Sequence, residues 1–313
     1  MIYTVTLNPA RDRTVVIDNF SAGKVNRIQS LRDDPGGKGI NVSKMIRSLG
    51  GKSVAMGILG GATGKYIKKS LQDMGIDSDF VLTTAETRTN IKVVDTVRGE
   101  TTDINEPGTP VAKRVLTSVF TRLKSRAQKG DIVVFAGKIP QGASAGLLAE
   151  WIGKLTAAGV RVFLDADGDT LFEGVKASPY LIKPNEAELS QLMGCSFSTL
   201  SDVCLGAKRV IHEAGVQVVA VSMGGDGALI VTKDGAYRAE GIRVPVLSTV
   251  GAGDAMMAAL AFGMDTGMPF PEMVALSIAA SAACVSESGT QAAPLDNIMK
   301  LKKLAKVHLY KSE

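Results

Sequence analysis

The chain has 313 residues, 45% hydrophobic and 21% charged, which suits a globular protein with a sizeable core and excludes a disordered or fibrous one. A formal charge of +5 is carried by dispersed lysines and arginines with aromatics at only 5%, which argues against a nucleic-acid surface, and no run of 18 apolar residues suggests a membrane span. Three cysteines without CxxC or metal-ligand spacing argue against a disulfide framework, and two histidines leave little material for a histidine metal site or a Ser-His-Asp triad.

The N-terminus runs directly into an apolar strand pattern over 2–7, with no charged leader and no apolar targeting segment, so a cytoplasmic setting is expected. Asn8-Pro9 ends that strand, and residues 11–34 read as short strands between turns. A helix is expected from Ile40 to Leu49, closed by Gly50-Gly51, then a strand over 53–59 and a helix over 64–74. Residues 88–105 alternate apolar and polar side chains and read as strands. Beyond them the rhythm becomes regular, with strands over 131–136, 160–165, 180–182, 217–222 and 228–231. Helices are expected over 145–158, from near Asn185, and over 203–213, 253–265 and 271–286. The lysines at 300, 302, 303 and 306 read as the solvated face of one amphipathic helix. Alternating strands and helices imply an α/β fold with a mostly parallel sheet covered on both faces. The strand-rich pieces at 11–34 and 88–105 break that rhythm and suit a small β-sheet projecting as a lid from one composite domain spanning 1–313.

Four local motifs could carry chemistry. Gly251-Ala252-Gly253-Asp254 precedes a helix of small residues, so free amides at the helix start and a carboxylate converge on one spot. That pairing supplies an anion site and a general base, as phosphoryl transfer requires; an aspartate that merely stabilises the first turn is the equal rival. Ser222-Met223-Gly224-Gly225-Asp226-Gly227 could hold nucleotide phosphates by its amides, although alone it reads more readily as a hairpin turn. In Lys183-Pro184-Asn185-Glu186-Ala187-Glu188, Asn185 and Glu188 could organise Mg²⁺ through water or form a helix-capping box, and the box is favoured in isolation. Gly36-Gly37-Lys38-Gly39-Ile40-Asn41 suits a sugar hydroxyl and a phosphate, or a plain loop; it lacks the spacing of a Walker A sequence.

In order along the chain, the run from Thr6 to Asp12, residues 36–41, Thr87-Arg88-Thr89-Asn90, residues 183–188, residues 222–227 and residues 251–254 resemble the PfkB carbohydrate kinase family, with its ribokinase-like three-layer fold. The TLNPA-x-D and GGKGxN runs are similar to the branch that phosphorylates ketohexose phosphates, which includes 1-phosphofructokinases and tagatose-6-phosphate kinases. The resemblance implies that Asp12 binds sugar hydroxyls with Gly36, Gly37, Asn41 and Asn90. It implies that Lys38 and Arg88 meet the phosphate already on the sugar. Lys183, Asn185, Glu188 and residues 222–227 would serve ATP and Mg²⁺. Asp254 would be the base, with Gly251, Ala252 and Gly253 forming the anion hole. The expected reaction is ATP-dependent phosphorylation of fructose 1-phosphate to fructose 1,6-bisphosphate. Tagatose 6-phosphate and fructose 6-phosphate are the rival acceptors, and a sugar-phosphate sensor on the same scaffold is the non-enzyme alternative. No nucleic-acid or membrane partner is expected, and pairing of two copies through the lid is. Two positions depart from the family pattern: Ala255 follows the base where a hydroxyl residue is usual, and Lys138 occupies a loop position that is usually small.

Overall fold

The computed structural model describes residues 1–311. In chain order the strands and helices are β1 (Ile2–Thr6), β2 (Ala10–Ile17), β3 (Ser30–Gly36), α1 (Lys38–Ser48), β4 (Ser53–Gly60), α2 (Gly61–Asp73), β5 (Asp77–Thr83), β6 (Arg88–Asp95), β7 (Glu100–Asn105) and α3 (Lys113–Arg126). They continue as β8 (Ile132–Ala136), α4 (Leu147–Ala157), β9 (Arg161–Asp165), α5 (Gly168–Val175), β10 (Leu181–Ile182), α6 (Glu186–Met193), α7 (Leu200–Ala214), β11 (Val218–Ser222), β12 (Gly227–Thr232), β13 (Gly235–Glu240), α8 (Ala252–Asp265), α9 (Phe270–Val285), α10 (Leu295–Lys302) and β14 (Val307–Tyr310).

Ten strands form one sheet in the order β14-β13-β12-β11-β10-β9-β8-β1-β4-β5, parallel from β5 through β11 and antiparallel beyond. Both faces are buried, so the central strands read as near-continuous apolar runs rather than alternating ones. Tyr3 and Val5 of β1, with Val133 and Phe135 of β8, pack against Leu123 of α3 and Trp151 of α4. Ile2, Ile132 and Val134 face the opposite way, onto Met45 of α1, Met257 of α8 and Ala279 of α9. The alanines of α8 and α9 let these two helices approach closely beneath the sheet. Ser43 on α1 meets Thr4 of β1 at 2.7 Å.

A second sheet, ordered β3-β2-β6-β7, stands beside the C-terminal ends of the parallel strands. Its outer face carries a small cluster of Val15, Ile17 and Val93. The α/β architecture expected from the sequence is thus present, with the small sheet built from the two irregular stretches.

Local differences have physical causes. Helix α2 begins three residues before the expected start, because the Glu86 carboxylate accepts the amides of Ala62 and Thr63 from outside the helix. The lysine-rich end is not one helix. Helix α10 stops at Lys302, and the chain returns as β14 to bond with β13, leaving Lys306 ahead of an edge strand. Strands β5, β13 and β14 and helices α3 and α5 are elements the sequence pattern did not single out. Among the described residues no helix is long and apolar enough to cross a membrane.

Candidate active site

A cleft of about 470 Å³ lies between the small sheet and the C-terminal ends of the parallel strands, where open α/β sheets bind their ligands. Its floor is the start of α8. Gly251 sits in the left-handed region at φ 89°, which turns the chain sharply into the helix. No side chain caps that helix start, so the first-turn amides of Ala252, Gly253 and Asp254 are left for an anion. A Cβ at Gly253 would lie 3.1 Å from Lys183 Nζ, so the lysine packs closely over this turn of the backbone.

Asp254 is only 5% exposed, and its Oδ2 accepts a 2.9 Å hydrogen bond from Asn41 Nδ2 on α1. Beside it lies Asp165, buried at the end of β9, with Lys38 at 3.1 Å and Lys183 at 3.4 Å. The four charged groups control one another. Burial pushes the Asp254 carboxyl up, the Asp165 charge pushes it further, and Lys38, Asn41 and Lys183 pull it back, leaving it at about 6. Burial works against both the Lys38 ammonium and the Asp165 carboxylate. Their mutual attraction, joined by Asp254 for Lys38 and by Lys183 for Asp165, overcomes it and keeps both charged. A carboxylate titrating near 6 and half enclosed by two ammonium groups is a competent general base at neutral pH.

The small sheet supplies one wall. Asp12 on β2 accepts from Asn90 Nδ2 on β6 at 2.9 Å, the two being in register across the parallel pair. Burial pushes the Asp12 carboxyl above its usual range. Gly36 backs Asp12 so tightly that a Cβ would collide with the carboxylate. Gly37, at φ 112°, passes over Thr6 with no room for a side chain. Arg88 donates to Asn90 Oδ1 at 3.1 Å, to the Glu106 carbonyl at 2.7 Å and to the Asn8 carbonyl at 3.3 Å. It therefore ties together three chain segments where the small sheet joins the large one.

At the far rim, Asn185 and Glu188 form a complete capping box at the start of α6, each side chain accepting the other's amide at 2.8 Å. One Glu188 oxygen remains for other work, and both residues line the cleft. Of the run 222–227, only Ser222 lines the cleft; Met223, Gly224, Gly225, Asp226 and Gly227 lie beyond it. Gly227 is needed for the fold, because a Cβ would overlap the Ala239 carbonyl of β13. Here the hairpin reading accounts for the glycine.

The two departures noted in the sequence also fall outside the cleft. Ala255 is buried in the core against α9, and Lys138, 74% exposed, reaches toward Asp167 at 3.8 Å. Several lining residues escaped the sequence reading, among them Asp165, Lys92 and Thr290. Asp165 ends an apolar strand, as catalytic groups in parallel sheets often do, and that position was its only signal. Lys44, buried on α1, donates to the Pro35 and Thr290 carbonyls, and Arg32 of β3 bonds Ser288, so the small sheet is tied to the loop that follows α9.

Residues 6–297 match the pattern of the pfkB family carbohydrate kinase. A 1-phosphofructokinase of Haemophilus influenzae is 34% identical over 288 residues, covering 92% of this chain and 91% of that protein. One of Bacillus subtilis is 34% identical over 293 residues, covering 93% and 95%. Among solved structures, the phosphofructokinase-2 of Escherichia coli in complex with fructose-6-phosphate superposes with a TM-score of 0.91 at 28% identity, over 97% of this chain and 98% of that one. Ribokinase of Arabidopsis thaliana shares the fold, with a TM-score of 0.77 at 24% identity over 96% and 98% of the two chains. With the uncapped helix start, the buried carboxylate and this relationship together, the chain belongs to the pfkB family of carbohydrate kinases and is a phosphotransferase that acts on a sugar hydroxyl with ATP as donor.

Proposed function

We propose that the acceptor is fructose 1-phosphate and the product fructose 1,6-bisphosphate. The observation that carries a kinase reading of the cleft is the pairing of Asp254 with an uncapped helix start beside two lysines. The relatives named 1-phosphofructokinase support this acceptor. A second reading, fructose 6-phosphate, is favoured by the Escherichia coli phosphofructokinase-2, whose structure was solved in complex with that sugar phosphate. Tagatose 6-phosphate is the remaining acceptor to compare. A non-catalytic sensor fits poorly with a base poised near neutrality.

In this reading Asp254 accepts the proton of the primary hydroxyl as its oxygen attacks the γ-phosphorus. The amides of Ala252, Gly253 and Asp254 receive the charge that develops on the transferred group. Lys38 and Lys183 face the same point from Asp165, so we assign both to the phosphoryl in transit, with Lys183 reaching toward the nucleotide. Asp12 and Asn90 hold sugar hydroxyls, backed by the Gly36-Gly37 chain, and Asn41 orients the base. Arg88, its guanidinium engaged by two carbonyls and Asn90, braces the sugar site. ATP phosphates lie toward Asn185, Glu188 and Ser222, with residues 223–227 forming the outer boundary of the nucleotide site.

The residues at that rim fit Mg²⁺ only through water. Asn185 and Glu188 already satisfy one another, one carboxylate oxygen is spare, and among the described residues no three acidic, histidine or cysteine groups converge. Bound there with the nucleotide, the ion would neutralise phosphate charge. The small sheet acts as a lid that excludes water from the transfer. Its outer face exposes Leu31 and Ile104, which supports pairing with a second copy of the chain. A cytoplasmic location fits the three free thiols.

The test is ATP turnover with fructose 1-phosphate, fructose 6-phosphate and tagatose 6-phosphate. The highest kcat/KM is expected with fructose 1-phosphate, and preference for either rival would overturn the assignment.

A further inference from the structure

Two lysines are buried among the described residues, Lys44 and Lys183. Lys183 faces the Asp165 carboxylate at 3.4 Å. Lys44, on α1, has only backbone for partners: it donates to the Pro35 carbonyl at 3.0 Å and to the Thr290 carbonyl at 2.5 Å. Burying an ammonium is costly, and a neutral amide could also donate to two carbonyls. A role for the charge itself would explain why a lysine stands there.

Three carboxylates feel that charge: Asp34, Asp12 and Asp254. Two of them are served elsewhere. Asp34 pairs with Arg32 at 2.9 Å, and Asp254 lies in the field of Lys38 and Lys183. Asp12 is different, because among the described residues its one hydrogen-bond partner is the neutral Asn90 amide. Burial pushes the Asp12 carboxyl up; the Asn90 bond, Lys44 and Arg88 pull it down, and Asp34 pushes it up again. Arg88 is already engaged by Asn90 and two carbonyls, whereas Lys44 has no acidic partner of its own. The anchoring is apt as well, since Pro35 precedes the Gly36 that backs Asp12, and Thr290 lines the cleft.

We propose that Lys44 is a positioning residue for the sugar: its ammonium, anchored by the Pro35 and Thr290 carbonyls, keeps Asp12 ionised so that the carboxylate accepts hydrogen bonds from the sugar hydroxyls. The proposal rests on the reading of Asp12 as a sugar ligand given above. A protonated Asp12 has less capacity to accept, and one of its oxygens becomes a donor that the hydroxyls must rearrange to meet.

The experiment is calorimetric titration of fructose 1-phosphate without ATP, between about pH 5 and 8, with a thermal melt and the KM for ATP of each protein. It compares wild type, Lys44→Gln, Asp12→Asn and the double variant. Affinity requires the ionised Asp12, so it should weaken as pH falls. In Lys44→Gln, which keeps a donor and loses the charge, the weakening should begin about one pH unit higher, with the KM for ATP within about twofold of wild type. The sugar phosphate changes its own charge in this range, and comparison between proteins cancels that contribution. In the Asp12→Asn background, adding Lys44→Gln should leave the pH dependence unchanged. A Lys44→Gln profile that superposes on wild type would overturn the proposal. So would a shift that persists without Asp12, or a loss of affinity equal at every pH and accompanied by a lower melting temperature, the mark of a purely structural role. If Lys44→Gln does not fold, Asp12→Asn decides: a loss of about tenfold or more near neutral pH supports the proposal, and wild-type affinity overturns it. If the wild type binds no ketohexose phosphate, the functional reading fails and takes the proposal with it.

Discussion

Asp254→Asn should make the protein more stable while nearly abolishing its activity. The carboxyl takes up its proton at about pH 6 in the folded chain, against 3.8 for an unperturbed aspartate. Two pH units correspond to about 3 kcal/mol, the free energy by which the folded state disfavours the ionised form. Asp254 is buried, so water screens little of it. Its folded pKa is raised, and the folded state therefore holds the proton more strongly than the unfolded one. The penalty is fully present above about pH 6, declines as pH falls and is absent below about pH 4. Asparagine keeps the shape, and its side-chain oxygen can still accept from Asn41. Thermal unfolding of wild type and variant at pH 8, 6 and 4 should show the variant melting about 5 °C higher at pH 8, with the difference closing toward pH 4. Over the same series kcat should fall by about 10²- to 10⁴-fold. A variant no more stable than wild type at pH 8, or a gain independent of pH, would refute the electrostatic account of the site.

The wild-type kcat/KM should fall on the acid side with an apparent pKa near 6, and Asp165→Asn should move that limb to lower pH by removing a like charge while both lysines remain. Glu188→Gln should preserve the capping box and the melting temperature but raise the Mg²⁺ concentration needed for half-maximal rate, whereas Glu188→Ala should also cost about 1 kcal/mol of stability, read from urea unfolding. Gly36→Ala should raise the KM for the sugar at least about tenfold with little change for ATP, because its Cβ displaces the Asp12 carboxylate.

The legible parts of the fold were those that local chemistry specifies. Apolar runs marked the buried strands β8, β9 and β11, and Gly251-Ala252-Gly253-Asp254 marked the start of α8 because a tight turn and a helix start need small residues there. Asp254, Asn41, Asp12 and Asn90 all reach one cleft although they are far apart in sequence. What the sequence concealed depends on long-range contacts. Glu86 lengthens α2 from outside the helix, which no local window shows. Strand β14 exists because β13 offers an edge, and its own four residues carry little strand signal. Asp165 looked like any acidic residue after an apolar strand until Lys38 and Lys183 were seen to converge on it. Lys92 and Asp103 lie on different strands, and only their register makes them a pair.

The order of strands in the large sheet bears on how the chain is made. Strand β1 lies in the interior, paired with β4 on one side and β8 on the other. Its β4 edge can close early in synthesis, but the opposite edge has no partner until residues 132–136 have left the ribosome. An unpaired apolar edge of that kind is exposed to misassociation. The charged floor of the cleft waits longer still, drawing Lys38, Asp165, Lys183 and Asp254 from four separate segments. A nascent chain that stops short of α8 can therefore build much of the sheet and still hold two lysines around a lone aspartate, with no catalyst between them.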